Sequence, residues 1–419
     1  MQSHRAWPAA ITVCVLAAAA CAADSNDWPR FRGPDGTGVG DANIPARWES
    51  GDVRWKVELP GVGHASIVTA GEKLFTTCGN EQSGTQSLLC LAAKDGAVVW
   101  KRDYASEAYR HHGENSYASS TPAVDGDHVY ACLMQPRELR VVALNHDGSD
   151  AWTASLGAFV TQHGGGHSPV VYGNLVIVAN EQDGPGSCLV ALDRATGAVK
   201  WKTPRKSYRF SASTPCVFRP KGAPAQLIFT SWAHGVTSVN PADGAVLWEL
   251  SDAFDARTVG SPVAANDAGL VIASCGEGPA GHWLVAVRPP KESGGKPEVA
   301  YKITKAAPYV PTPLVKGGRL YYWSDSGTAT CADAASGKTL WQERVPGGTF
   351  FGSPVFTGGK LFAVSKRGNV IVLSAADEFQ LLGNNDAGEK SDATPAVANG
   401  RMYVRTYSHL LCVAAQAGN

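Results

Sequence analysis

The 419-residue chain balances 37 Lys and Arg against 37 Asp and Glu, and no run of Lys or Arg exceeds two residues. A nucleic-acid backbone or an anionic membrane demands a basic footprint, so neither is the expected main partner. The 44% of apolar residues can fill a large core, while 46 Gly and 25 Pro imply many turns.

In chain order, the first expected element is an export signal. Arg5 precedes an apolar run over residues 9–20, and Ala20-Cys21-Ala22 offers small residues for cleavage, which predicts a signal peptide over 1–22. The run is too short to span a bilayer, and no other segment is long and apolar enough to do so. Cys21 also offers a lipid-anchor position. Residues 23–51 are rich in Gly, Pro, Asp and Asn, with Trp28, Phe31 and Trp48 interspersed, and predict an irregular strap lying against the rest of the protein. Its RGPDGTG segment lacks the flanking strand, helix and Lys-Ser/Thr ending of a phosphate loop.

From residue 52 onward one sentence is repeated. Residues 187–202, SCLVALDRATGAVKWK, read as a strand, a Gly-terminated turn and a second strand ending on an indole, which is a β-hairpin. Copies end at Trp55, Trp100, Trp152, Trp201, Trp248, Tyr301 and Trp341, spaced by 40 to 53 residues. A second marker keeps the same beat: Thr121-Pro122, Ser168-Pro169, Thr214-Pro215, Ser261-Pro262, Thr312-Pro313, Ser353-Pro354 and Thr394-Pro395. Four short strands per unit at this period predict an all-β fold, a β-propeller of four-stranded antiparallel blades. Eight units begin near His64, Tyr117, Gly166, Ser211, Val259, Val310, Phe351 and Asp392. The last unit has three strands, whereas residues 52–59 form an orphan strand carrying Trp55. Pairing the two closes the ring and removes two sheet edges, so residues 52–414 form one eight-bladed domain.

The tryptophans at a fixed blade position predict packing between neighbouring sheets. Cys90, Cys331 and Cys412 fall in a slot that holds Ala143, Ala191 or Ser238 elsewhere, which asks only for a small buried residue. No CxxC or adjacent Cys pair exists, and one disulfide is expected to be feasible, Cys78 with Cys90 on neighbouring strands of the first blade.

In such blades the loop before the first strand and the turn between the second and third strands open on one face. That rule assigns His111, His112, Glu114, His163, His167, Glu181 and Arg209 to it. Trp232, His234, Arg257, Asp325, Arg367, Arg405 and His409 join them. His64, Asn115, Glu277, Tyr309, Phe351 and Asp392 fall on the same face, and His128, His146 and His282 do not. Polar groups gathered on a rigid scaffold make a ligand or partner face at the channel mouth. HHGE (111–114) and HGGGH (163–167) are its sharpest clusters. They lack any known metal-ligand spacing, so hydrogen-bonding histidines are expected rather than a metal. As surface groups, His163 and His167 should both be replaceable by Ala with little change in stability.

Units of the form (S/T)P…G..LY…ALD..TG…W resemble the pyrroloquinoline-quinone (PQQ)-type propeller repeat of quinoprotein alcohol dehydrogenases and BamB-type outer-membrane assembly lipoproteins. With WPRFRGPDGTG, EQDGPG, FTSWAHG and RTYSH, the whole chain resembles exported PQQ-like propellers of planctomycete-type genomes. The resemblance implies a monomeric, extracytoplasmic scaffold of the cell envelope that binds a protein or envelope ligand, with no cofactor and no catalytic residues. Its alternative is a dehydrogenase using PQQ and calcium, for which Glu181, Asp325 and Trp232 could hold the ion and stack the ring. Against that alternative, the adjacent-cysteine disulfide of those enzymes has no counterpart and no CxxCH haem motif is present.

Overall fold

The computed structural model describes residues 26–416 apart from Ser50, Arg137, Tyr208, Gly278, Pro279 and Ser293. The export segment and Cys21 lie outside the described residues. The chain folds into eight four-stranded antiparallel sheets. In seven of them the strands follow one another in sequence from the channel outward. The eighth contains Ala396–Ala398, Arg401–Arg405 and His409–Val413, and its outer strand is Val53–Glu58. Val53–Glu58 runs antiparallel to His409–Val413, with Glu58 opposite His409 and Val53 opposite Val413. The ring is therefore closed by the N-terminal strand. No helix among the described residues is long and apolar enough to cross a membrane.

The burial pattern follows from stacking sheet on sheet. Middle strands such as Leu175–Asn180 are buried along their whole length because a neighbouring blade covers each face. Outer strands such as Val98–Tyr104 alternate between half-buried and exposed. The core lies in the seams: Tyr130, Cys132 and Val141 of blade 2, for example, pack on Val176, Val178 and Val190 of blade 3.

The repeated motif encodes those seams. The small slot is the cross-strand partner of the closing aromatic: Cys90 faces Trp100, Ala143 faces Trp152, and Cys331 faces Trp341. Each aromatic then reaches the turn of the next blade. Trp152 donates Nε1–H to Arg194 O at 2.8 Å and lies over Gly197, where a Cβ would stand 2.5 Å from the ring. Trp55 does the same to Ala93 O and Gly96 of blade 1, welding the closing strand to the first blade. Blade 5 has a longer hairpin in place of the TG turn, and Trp248 bonds Gln226 within its own blade instead. The Ser/Thr-Pro marker makes a second ring. The amide of one such residue donates to the hydroxyl of the next blade, as in Thr214→Ser261→Thr312→Ser353→Thr394, at 2.9–3.0 Å.

The disulfide expectation changes. Cys78 and Cys90 are both free and buried, as are the other six described cysteines. Phe75 opposes Cys90 in the register, so Cys78, three residues on, points to the opposite face of the sheet. The strap lies against the blades, and its first part also enters the channel. Arg30 donates to Pro215 O at 2.5 Å, and Arg32 to Pro313 O at 2.7 Å and Pro354 O at 3.1 Å. These carbonyls belong to blades 4, 6 and 7, so the segment closes one end of the channel, with Phe31 as the inner surface of the plug.

Candidate functional site

Above Phe31 the channel widens into a cup of about 650 Å³ that opens on the predicted face. The Ser/Thr ring forms its wall, and the blade-linking loops form its rim. Because those hydroxyls already accept amides from neighbouring blades, the chemistry of the cup lies in the rim.

The two histidine clusters meet there. The amide of His112 donates to His163 O at 3.1 Å, and Asn115 Nδ2 donates to the same carbonyl at 2.7 Å and to Gly165 O at 3.0 Å. The rings of His112 and His163 stack at 5.3 Å. Gly164 permits this approach: its φ is +88°, and a Cβ would lie 2.8 Å from His111. Arg257 reaches across from the loop before blade 5, donating Nη1–H to the His163 ring and Nη2–H to Glu277 at 3.1 Å. Burial, then the Arg257 charge, lowers the His163 pKa.

Across the mouth Lys366 bridges Glu114 and Asp392, 3.4 Å from the latter, and lies 4.2 Å from the Phe351 ring centre. Asp392 is raised by burial, and His64 is pushed down to about 3 by burial and then by the Arg405 charge. His64 Nδ1 and Asp392 Oδ1 are buried without hydrogen-bond partners. On the third side Asp325 accepts the amides of Tyr309 at 2.8 Å and Val310 at 3.1 Å. Burial raises its pKa, while those amides oppose the shift.

Of the predicted face, His64, His112, Glu114, Asn115, His163, Arg257, Glu277, Tyr309, Asp325, Phe351 and Asp392 line the cup. Arg209 and Trp232 stand just behind it: the Arg209 guanidinium lies 5.1 Å over the indole and bonds Glu277. His111 lies below the rim, 3.2 Å from Glu81 and edge-on to Tyr117. Arg367 is exposed on its turn.

The others hold seams. Glu181 is fully buried and accepts Arg205 Nε–H at 2.8 Å; Arg205 reaches Glu249 at 3.0 Å, and Glu249 lies 3.1 Å from His234. Arg405, 1% exposed, donates to Ala65 O, Thr76 Oγ1 and Thr77 O across the seam of blades 8 and 1. His409 bonds Ser408 and Glu389. His167 is a core residue, 1% exposed between Phe159 and Phe210. The topological rule assigns loops to a face and does not tell which loop residues turn inward to pack.

His282 and Phe31 line the cup although the sequence pointed to neither. His282 stands on a strand, Ala280–Arg288, of the tallest hairpin, packs on Tyr309 at 5.4 Å and lies 4.0 Å from Asp325. Among the described residues Asp125, Asp127 and His128 form the one group with ligand atoms close enough for a metal, but the Arg194 guanidinium already sits 3.2 Å from Asp125 and 3.3 Å from Asp127.

Eight blades of this repeat around a plugged channel define a PQQ-like propeller. The chain belongs to the family described as outer membrane protein assembly factor BamB, which it matches over residues 44–214, 119–343 and 234–419. BamB from Moraxella catarrhalis superposes with a TM-score of 0.60 at 14% identity, covering 87% of this chain and 97% of that chain. Saccharomyces cerevisiae Sqt1 gives 0.63 at 11% identity over 87% and 99%. A quinohemoprotein alcohol dehydrogenase from Comamonas testosteroni gives 0.51 at 14% identity over 95% and 83%. At these identities the likeness is one of fold. No curated protein sequence matches significantly.

Proposed function

We propose that the protein is an exported binding protein of the cell envelope, without catalytic activity of its own, that takes its ligand or partner at the cup. One observation carries this reading: the channel is plugged at one end, and the open end gathers polar groups that are already held by one another. Glu277 is shared by Arg209 and Arg257, Asp325 is held by two backbone amides, and the wall hydroxyls bond neighbouring blades. A general base or nucleophile needs a group poised to exchange a proton or attack. Groups fixed in pairs instead present a preformed surface. Membership in a family named for outer-membrane assembly supports an envelope location and a protein or envelope partner.

The dehydrogenase alternative is less well supported by the residues. PQQ is a tricarboxylate, whereas the cup is lined by Glu114, Glu277, Asp325 and Asp392, with Arg257 as its one lining guanidinium. Glu181 and Trp232, the partners expected to join Asp325, lie outside the cup, and Glu181 is committed to Arg205. The site does not fit the quinone. The test is affinity capture from envelope extract with the wild type and with Arg257→Ala, alongside dye-linked oxidation assays with PQQ and calcium. A partner retained by the wild type and lost by the variant is expected. Stoichiometric quinone uptake with dye reduction would overturn the reading.

A further inference from the structure

We infer that the cup is a binding site for a neutral saccharide of about one or two pyranose rings, the size its volume admits. This names the ligand class of the proposed binding role and rests on that role. The charges of the rim offset one another: Arg209 and Arg257 meet Glu277, and Lys366 meets Glu114 and Asp392. An anion entering the cup would face four lining carboxylates, and a cation would have to compete with Lys366 and Arg257 for Glu114, Asp392 and Glu277 and with two backbone amides for Asp325. Neither charge type gains what it loses in desolvation. An apolar ligand fails for another reason. It would cover the part-exposed carboxylates of Glu114 and Glu277 and supply no hydrogen bond in place of water.

A sugar meets both demands. Its hydroxyls donate to the outward lone pairs of ion-paired carboxylates and accept from imidazole and guanidinium N–H groups. Glu114 and Glu277, whose side chains are 50% and 39% exposed, and the lining rings of His112 and His163 offer such acceptors and ring nitrogens at the mouth. The apolar C–H face of a pyranose needs flat, apolar surface. The cup provides it as Phe31 from the plug and Phe210, Tyr309 and Phe351 from its wall. Such a set of planar polar groups interleaved with aromatic faces is what an uncharged amphipathic polyol requires.

The test uses the full mature chain and saturation-transfer NMR with cellobiose, lactose and chitobiose, with spermidine and citrate as charged controls. At least one disaccharide should receive saturation, and Phe351→Ala or Asp392→Asn should reduce the transfer at least tenfold while melting curves stay cooperative. Cosedimentation with cellulose, released or not by free cellobiose, then separates recognition of a polymer end from capture of a free sugar; either result supports the inference. Transfer that persists in both variants would place the sugar elsewhere and overturn it. Transfer to spermidine or citrate alone, or to no probe, would overturn the ligand class. In those cases the binding role itself still stands or falls on the envelope capture, which is scored separately.

Discussion

His167 decides whether the HGGGH cluster is surface or core, and replacing it by Phe reads that out through pH. The ring is wedged edge-on between Phe159 at 5.4 Å and Phe210 at 5.0 Å, with Nε2 3.3 Å from Glu181 O and Nδ1 unpartnered. Burial lowers its pKa from 6.5 to about 4, partly opposed by the carbonyl contact. The unfolded chain therefore binds more protons than the folded one in this window. The stabilisation is complete above 6.5 and is lost as pH falls toward 4. Between about pH 7 and about pH 5 the wild type should lose about 2 kcal/mol through this group alone. His167→Phe keeps the ring packing and gives up one hydrogen bond, about 1 kcal/mol at neutral pH. Glu181 O retains the amide of Ser211 as a donor. The variant should be the less stable protein at neutral pH and the more stable one at pH 5, with the curves crossing near about pH 6. Urea unfolding followed by tryptophan fluorescence at both pH values measures the crossing, and the titration of His64 cancels in the comparison. Parallel pH dependences would refute the reasoning and return His167 to the rim. The corollary corrects the surface expectation: His167→Ala should cost roughly 3 kcal/mol, whereas His163→Ala should cost well under that.

The seam devices make further predictions. Gly197→Ala places a Cβ against the Trp152 ring at a φ of +73° and should cost about 2–3 kcal/mol, whereas Gly173→Ala, at +58° with open space around it, should cost about 1 kcal/mol; urea midpoints compare them. Arg405→Met leaves the carbonyls of Ala65 and Thr77 without that donor and should cost about 2–4 kcal/mol, while envelope capture at the mouth is retained. Deleting residues 26–49 removes the plug but not the closing strand. Such a protein should remain soluble with a lower melting temperature, whereas deleting residues 23–59 also bares the edge of His409–Val413 and should aggregate, measured by light scattering.

The fold was legible because every blade repeats the same solution to the same packing problem. The Trp, the small slot and the TG turn are one contact written in three places: Trp152 faces Ala143 across its own blade and Gly197 in the next. A pattern required eight times survives the drift of individual residues, and the missing strand at the C-terminus was visible because Trp55 lay alone at the other end. The exceptions are legible in the same terms, since the hairpin of blade 5 lost its TG turn and Trp248 changed partner. The plug was not legible. It occurs once, its two arginines are satisfied by the carbonyls of distant blades, and nothing in RFRG indicates that its arginines enter a channel.

The site was half legible for the opposite reason. Topology fixes which loops share a face, and it brought His112 and His163 together from separate blade connections. It does not fix whether a side chain on that face points to the axis or into a seam. That choice depends on volume left between blades: Phe159 and Phe210 leave a gap that only the His167 ring fills, and Thr76, Thr77 and Ala65 present acceptors that only the Arg405 side chain reaches. Polar residues near the mouth therefore divide into those that neutralise the seams and those that remain for a ligand. The division also explains why the cup is so nearly charge-balanced. A ring whose seams meet at the axis must satisfy each buried charge locally, or the eight sheets would separate there. What such a ring can offer a ligand is shape, lone pairs and aromatic faces rather than net charge, and a neutral polyol exploits all three.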